Sequence, residues 1–223
     1  MFSLVIPTYN EKGNIKPLLD AVSKTLDGLD YEVIVVDDDS PDGTAAEVLN
    51  YRVQNKRVRL IVRRKDKGLS SAVVAGFERA RGEVLGVMDA DLSHDHRVLP
   101  EMIDQVVEGF DMCIGSRAGV EGWGFKRKLI SRSAALLART LLGVSISDPM
   151  SGFFVVKREV FERVRDELNP LGYKIMLEVF YRARPLKVSE VFYVFNDRVH
   201  GESKLSNKVV KDYLKQLMSL RKV

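Results

Sequence analysis

Short β-branched runs alternate with helix-length segments through the first half of the chain, and no other feature constrains the fold as strongly. Phe2 to Ile6 precedes Asn14 to Leu26, Tyr31 to Val36 precedes Thr44 to Asn55, and Val58 to Val62 precedes Ser70 to Arg81. Val84 to Met88 then precedes Arg97 to Glu108, with Met112 to Ile114 as a fifth strand. Strands separated by helices pair in parallel through right-handed crossovers, so the pattern predicts an α/β fold with a mainly parallel, twisted, Rossmann-like sheet flanked by helices. Past Gly115 the rhythm changes. A Gly-rich loop with a Trp (Gly119 to Gly124) leads into a basic, apolar helix (Arg127 to Leu142). The turn-like Asp148-Pro149-Met150-Ser151-Gly152 and strand-like Phe153 to Val156 and Val188 to Phe195 follow. No repeat or low-complexity linker interrupts the chain, so 1–223 reads as a single domain with a first half over 1–115, a continuous second half over 116–205 and a C-terminal segment over 206–223.

Composition removes several classes of function. A 223-residue chain with 45% hydrophobic and 30% charged residues can bury a substantial core and is neither disordered nor fibrous. With Cys113 as its one cysteine, it builds no internal disulfide, redox pair or cysteine-based zinc cluster. Phe2 to Ile6 is too short for a signal peptide and Pro7 interrupts it, while no run approaches the roughly 18 apolar residues of a membrane span. The expected address is cytoplasmic. The net charge of +4 fits an anionic partner without requiring one.

Asp89-Ala90-Asp91 directly follows the apolar run Val84 to Met88, at the strand-to-helix edge where open α/β sheets bind ligands. Two adjacent carboxylates repel each other and call for a cation. Hard oxygen donors of this kind suit Mg²⁺ or Mn²⁺, whose remaining ligands are commonly waters and substrate phosphates. Taken alone, such a triplet more often caps a helix or makes a turn. Two other strand ends carry polar loops: Pro7-Thr8-Tyr9-Asn10-Glu11, and Asp37-Asp38-Asp39-Ser40-Pro41-Asp42-Gly43-Thr44. Strand alternation puts Asp37 and Asp39 on one side and Asp38 on the other, and Asp42 or Thr44 also fits a helix cap. After the third strand, Lys67-Gly68 suits either a phosphate or ribose contact or a plain helix start. The chain has no Gly-x-Gly-x-x-Gly after its first strand and no Gly-Lys-Ser/Thr loop, which argues against dinucleotide oxidoreductases and P-loop NTPases.

The ordered set of motifs is more specific than any one of them. Val5-Ile6-Pro7-Thr8-Tyr9-Asn10-Glu11, Val35 to Thr44, Lys67-Gly68-Leu69, Met88-Asp89-Ala90-Asp91, Gly115-Ser116-Arg117, Asp148 to Phe153 and Arg198-x-x-Gly201-x-Ser203-Lys204 occur in one order across nearly the whole chain. Together they closely resemble the dolichyl-phosphate mannose synthase group of family-two inverting glycosyltransferases. The resemblance implies a GT-A fold, a divalent metal, a nucleotide-sugar donor with GDP-mannose favoured, and a dolichyl or other polyprenyl phosphate acceptor. It further implies metal and diphosphate roles for Asp89 and Asp91, with Ala90 between them, and a nucleotide-sugar pocket at Pro7, Tyr9, Glu11, Asp37, Asp39, Lys67 and Gly68. Ser93 departs from the Gln common at that place in similar proteins, so water or His94 is expected to complete the coordination. His94-x-His96 has no further His or Cys nearby to make a zinc site.

Arg117, Arg127, Ser131, Arg198, Ser203 and Lys204 form a second, basic set whose donors match phosphate oxygens, against the alternative of a solvated basic face. An acceptor that is already an anion needs little general-base help, so Asp148 is expected to orient the sugar or an acceptor-side arginine, with a base role as the alternative for a hydroxyl acceptor. In Lys208 to Arg221, Val210, Tyr213, Leu214, Leu217 and Leu220 share one helical face with lysines around it. That suits either an anionic membrane surface or packing on the domain. Members of the resembled group variously continue into transmembrane helices or recruit a small membrane-protein subunit, which implies a peripheral place at the cytosolic face of a membrane. The rivals are the same chemistry with UDP-glucose, a sugar nucleotidyltransferase, which would want a Gly-rich stretch near the first strand, and a non-catalytic nucleic-acid or membrane module. The acidic set Asp37, Asp39, Asp89 and Asp91 disfavours nucleic acid.

Overall fold

The structure is a computed structural model that describes residues 1–120, 125–170, 174–195 and 207–221, the side chains of 120, 125–132 and 207–212 excepted. Strands β1 (Phe2–Thr8), β2 (Tyr31–Asp37), β3 (Val58–Val62) and β4 (Val84–Val87) are all parallel, in the order β3-β2-β1-β4. Every residue of β1 and β2 is buried, which is why these strands read as continuous apolar runs rather than as alternating ones. Successive side chains point to opposite faces and feed two cores. Val5, Ile34, Val36, Phe77 and Phe154 lie in one, and Leu4, Ile6, Val33, Val35 and Phe153 in the other. The crossovers are α1 (Lys12–Thr25), α2 (Thr44–Gln54) and α3 (Leu69–Arg79). The connection after β4 carries α4 (Leu99–Val107), preceded by a 3₁₀ turn at His96–Val98.

The second half departs from simple alternation. β5 (Met112–Val120) does not lie beside β4, because β6 (Phe154–Lys157) inserts between them antiparallel to both, and β7 (Val188–Phe195) then pairs in parallel with β5. The sheet therefore runs β3-β2-β1-β4-β6-β5-β7 across both halves of the chain. Apolar periodicity marks Phe153 to Val156 as a strand but says nothing about its neighbours or direction. The parallel strands all end at one edge of the sheet and β6 begins there. The Asp148 to Gly152 turn consequently lands beside the Asp89 loop.

Among the described residues, four further α-helices follow: α5 (Phe125–Leu142), α6 (Arg158–Val164), α7 (Ile175–Arg182) and α8 (Asn207–Leu220). α6 and α7 have no counterpart in the sequence reading. α6 is short, and α7 buries every residue from Ile175 to Phe180, so it lacks an exposed face to set a helical period. α8 packs on the domain through Tyr213, Gln216, Leu217 and Leu220, with the Tyr213 hydroxyl donating to the Ala134 carbonyl of α5 at 2.8 Å. Leu214 lies outside that buried face, on the exposed side with Met218. No helix among the described residues is long and apolar enough to cross a membrane.

Phe77 joins α3 to the inserted strand, making edge contacts with Phe154 at 6.2 Å and with Phe161 of α6 at 5.1 Å. Phe77→Ala should destabilise the fold by about 3–5 kcal/mol, the range for emptying a buried aromatic site. Urea unfolding checks this, and a shift below about 1 kcal/mol would show that the two halves are not joined through this cluster.

Candidate active site

The two aspartates after β4 have different surroundings. Asp91 is almost wholly buried, and its Oδ1 accepts the Ser93 backbone N–H at 3.1 Å and the Ser93 hydroxyl at 2.5 Å. Leu92, with φ of 61°, turns the chain so that this closure forms. Asp89 keeps 29% of its side chain exposed at the cleft. A Cβ added to Gly152 would stand 3.5 and 3.6 Å from the two Asp89 carboxylate oxygens, so the bare glycine keeps open the space in front of them. Ala90 turns its methyl into the core.

Ser93 and His94 support this pair from behind. The Ser93 hydroxyl is directed at Asp91, and His94 is buried, its ring stacked on Phe153 at 5.1 Å and 10°. His94 Nδ1 accepts the Asp89 backbone N–H at 3.1 Å, while Nε2 lies 3.8 Å from Asp89 Oδ2. Burial is the main influence on His94 and lowers its pKa, with Asp89 and Asp91 acting the other way. A neutral imidazole with Nδ1 accepting must carry its proton on Nε2. That tautomer holds the Asp89 backbone through Nδ1 and directs Nε2–H to the side of Asp89 Oδ2. His96 pairs instead with Thr25 Oγ1 at 2.7 Å, so the two histidines do not converge on a zinc.

The loop after β2 also differs from strand alternation. Asp37 is fully buried, accepting the Thr8 hydroxyl at 2.9 Å and the Ser40 backbone N–H at 2.9 Å. It joins the β1 and β2 loops. Asp38 turns toward the β3 loop, taking the Arg63 guanidinium at 2.5 Å and the Gly68 N–H at 2.7 Å. Gly68, at φ of 147°, adopts a backbone that a side chain would strain. Asp39, at φ of 57°, leaves the strand and is exposed, 3.4 Å from Lys67. Tyr9 is exposed at the same edge, Pro7 is buried as the partner of Val36 in β1, and Glu11 accepts the Asn14 amide at 2.8 Å. Asp42 accepts N–H groups from Lys12 and Thr44 and so ties two helix starts together. Arg63 was not anticipated from sequence. Its signal was its place just past a parallel strand, level with Asp38.

Across the cleft, Arg117 of β5 grips Asp148 in a fork, Nε to Oδ2 at 2.5 Å and Nη2 to Oδ1 at 2.8 Å. The pair is largely buried. Against the opposing effect of burial, Arg117 holds the Asp148 pKa below the usual carboxylate value, so Asp148 orients the arginine and is poorly suited to act as a base. The turn is fixed by the Ser151 hydroxyl, which donates to the Gly115 carbonyl at 2.7 Å. Lys174, at the start of α7, donates to the Met150 carbonyl at 2.8 Å. Burial and Arg117 push its pKa down to about 8, while Asp89 and Asp148 pull it up. Tyr193 of β7 is buried in the same field, with burial raising its pKa. Neither Lys174 nor Tyr193 stands in a motif that sequence reasoning could single out. Of the remaining basic set, Arg127 and Ser131 fall on α5, where their side chains lie outside the described residues. Arg198, Ser203 and Lys204 also lie outside the described residues.

His94 generates a pH prediction. As pH falls through about 6.5 the unfolded chain takes up a proton that the buried ring refuses, so the folded state loses up to about 1.4 kcal/mol per pH unit until the folded-state pKa is reached. His94→Gln still offers an acceptor for the Asp89 N–H and does not titrate. Its urea midpoints between pH 7.5 and 5.5 should form a flatter curve than those of the wild type, and parallel curves would rule out a buried neutral His94.

Comparison with known proteins bears on the family and the fold. Residues 3–165 match the model of glycosyl transferase family 2. The chain is 46% identical to a dolichol-phosphate mannosyltransferase of Pyrococcus furiosus, with 99% of this chain aligned to 63% of that protein's length, so it spans less than two thirds of that relative. It is 38% identical to the dolichol-phosphate mannosyltransferase of Saccharomyces cerevisiae, over 98% of this chain and 86% of the yeast protein. Among solved structures, glucosyl-3-phosphoglycerate synthase from Mycobacterium tuberculosis, in complex with Mn²⁺, UDP-glucose and phosphoglyceric acid, superposes with a TM-score of 0.76 at 20% identity, over 100% of this chain and 80% of that one. The expected GT-A fold is thereby met.

Proposed function

Because the chain belongs to glycosyl transferase family 2, we propose that it transfers mannose from GDP-mannose to dolichyl or another polyprenyl phosphate, with inversion at the anomeric carbon. The observation that supports this reading is the Asp148 to Gly152 turn, which lays Gly152 against the Asp89 carboxylate while holding the Arg117–Asp148 pair and the Lys174 ammonium. One side suits a cation and the other an anion. Asp89 and Asp91 are hard oxygen donors with room in front of Asp89, and fit Mg²⁺ or Mn²⁺, which supplies Lewis-acid stabilisation to a departing diphosphate. The loops closed by Asp37 and Asp38 present Tyr9, Asp39 and Lys67 at the exposed edge for the nucleoside. A phosphate oxygen of the acceptor bonds to the anomeric carbon as the bond to the nucleoside diphosphate breaks. That oxygen is already anionic, which accords with an Asp148 committed to Arg117. The remaining acceptor-phosphate contacts are assigned to Arg127, Ser131, Arg198, Ser203 and Lys204. For the lipid, Leu214 and Met218 of α8 and Leu136 of α5 are exposed apolar side chains that a membrane surface would cover. A small membrane-protein subunit is a compatible partner.

Thermal unfolding with GDP or UDP, each with Mn²⁺, tests the donor. A ligand at a hundred times its Kd adds about 2.7 kcal/mol, so GDP should raise Tm by several degrees and UDP by less. A larger shift with UDP would move the reading to transfer of glucose. Asp89→Asn removes charge without volume and should lower mannosyl transfer at least about a hundredfold with Tm nearly unchanged. Near-normal turnover across a Mn²⁺ titration would remove Asp89 from the metal site.

A further inference from the structure

Lys174 has no part in the motifs that pointed to the site, yet it is a cation set among the site's charges. It sits immediately before α7, and its ammonium crosses to the Asp148 to Gly152 turn, where it donates to the Met150 carbonyl at 2.8 Å. That same turn carries Asp148 in its fork with Arg117 and lays Gly152 against the Asp89 carboxylate, and all three charges act on the ammonium. Its backbone is gripped from behind. The Lys174 carbonyl accepts Gln216 Nε2 of α8 at 3.1 Å, and the same amide donates to the buried Glu178 at 3.1 Å. Glu178 in turn accepts the Asn169 N–H at 2.7 Å. α7, α8 and the preceding loop thus fix where the lysine starts.

A carbonyl such as that of Met150 can be satisfied by a neutral donor or by water. Putting a cation there, close to another cation at Arg117, costs desolvation and repulsion that a purely structural contact does not require. An ammonium has three donors and the Met150 bond uses one of them. The seam between Asp89 and Arg117 is also where the proposed reaction brings negatively charged phosphoryl oxygens together. We propose that Lys174 is a phosphate-binding residue of the transfer centre, and that Gln216 of α8 sets its reach. The phosphate is either the departing diphosphate of the donor or the monophosphate of the acceptor, and the inference rests on the transferase reading above.

Lys174→Met, which keeps the stem and removes the charge, separates the sources. Calorimetry with GDP and Mn²⁺ reads the diphosphate, and steady-state kinetics with GDP-mannose and farnesyl phosphate read the acceptor. A loss of about ten- to a hundredfold is expected in one of the two, the range for a charged hydrogen bond, with Tm equal to or above that of the wild type. Loss of GDP affinity assigns Lys174 to the donor, and a raised KM for farnesyl phosphate with GDP affinity kept assigns it to the acceptor. If instead Tm falls while GDP affinity, KM and kcat all stay within twofold, Lys174 is only a strut under Met150 and the proposal is overturned. Should Lys174→Met fail to fold, Lys174→Gln, still a donor but uncharged, carries the same measurements. Gln216→Leu should shift the same parameter in the same direction, and unchanged kinetics there would remove the role given to α8. If the wild type transfers no mannose, the functional reading fails separately. Inorganic pyrophosphate binding to wild type and Lys174→Met then decides the lysine, with equal affinities rejecting it.

Discussion

The fork between Arg117 and Asp148 joins the two elements on which the cleft depends, strand β5 and the turn that launches the antiparallel β6. Removing one partner of a largely buried pair leaves a charge without compensation, which typically costs about 3–5 kcal/mol, so the turn is strongly held to its place beside the sheet edge. The consequences spread through backbone contacts. Ser151 bonds Gly115, Phe153 lies against Gly115, and a Cβ on that glycine would come within 2.6 Å of the Phe153 ring. Phe153 stacks on His94, and His94 holds the Asp89 N–H. Anion-side and cation-side residues are therefore set by one continuous scaffold.

What the sequence made legible follows from what periodicity can encode. Carboxylates placed directly after a buried apolar run must emerge at the edge of a parallel sheet, and Asp89 does so with no further information. The inner strands were equally readable because burial on both faces demands long apolar runs. β6 was readable as a strand but not as an antiparallel insertion, since partner and direction depend on contacts between segments far apart in the chain. Asp37, Asp38 and Asp39 show the same limit locally. Alternation predicts which side each faces only while the strand continues, and the chain leaves the strand after Asp37 and turns left-handed at Asp39.

Lys174 and Arg63 escaped sequence reasoning because each acquires meaning through a distant partner. Arg63 matters because Asp38 is there to receive it, and Lys174 because Met150 and Gln216 lie in front of and behind it. Nothing in the residues flanking Lys174 encodes its contacts, and for Arg63 only its place past β3, level with Asp38, hints at its partner. α7 is buried on most of its surface and offers no amphipathic contrast, and the amphipathic pattern of α8 marks a buried face without marking Gln216 as a support for a distant lysine.

The division of labour between the paired aspartates explains how a serine serves where the resemblance suggested a longer amide. A glutamine at position 93 could reach past its own backbone toward the cleft. Serine is too short to do so, and its hydroxyl and N–H both close on Asp91 Oδ1 instead. Two donors on one carboxylate oxygen fix its rotamer, so the carboxylate is oriented before any ligand arrives. His94 does the corresponding service for the backbone of Asp89 while leaving that carboxylate toward the open side. The buried aspartate is thus fixed through its side chain and the outward one through its backbone. That arrangement holds two like charges at one strand end, with the outward carboxylate facing the open side of the cleft.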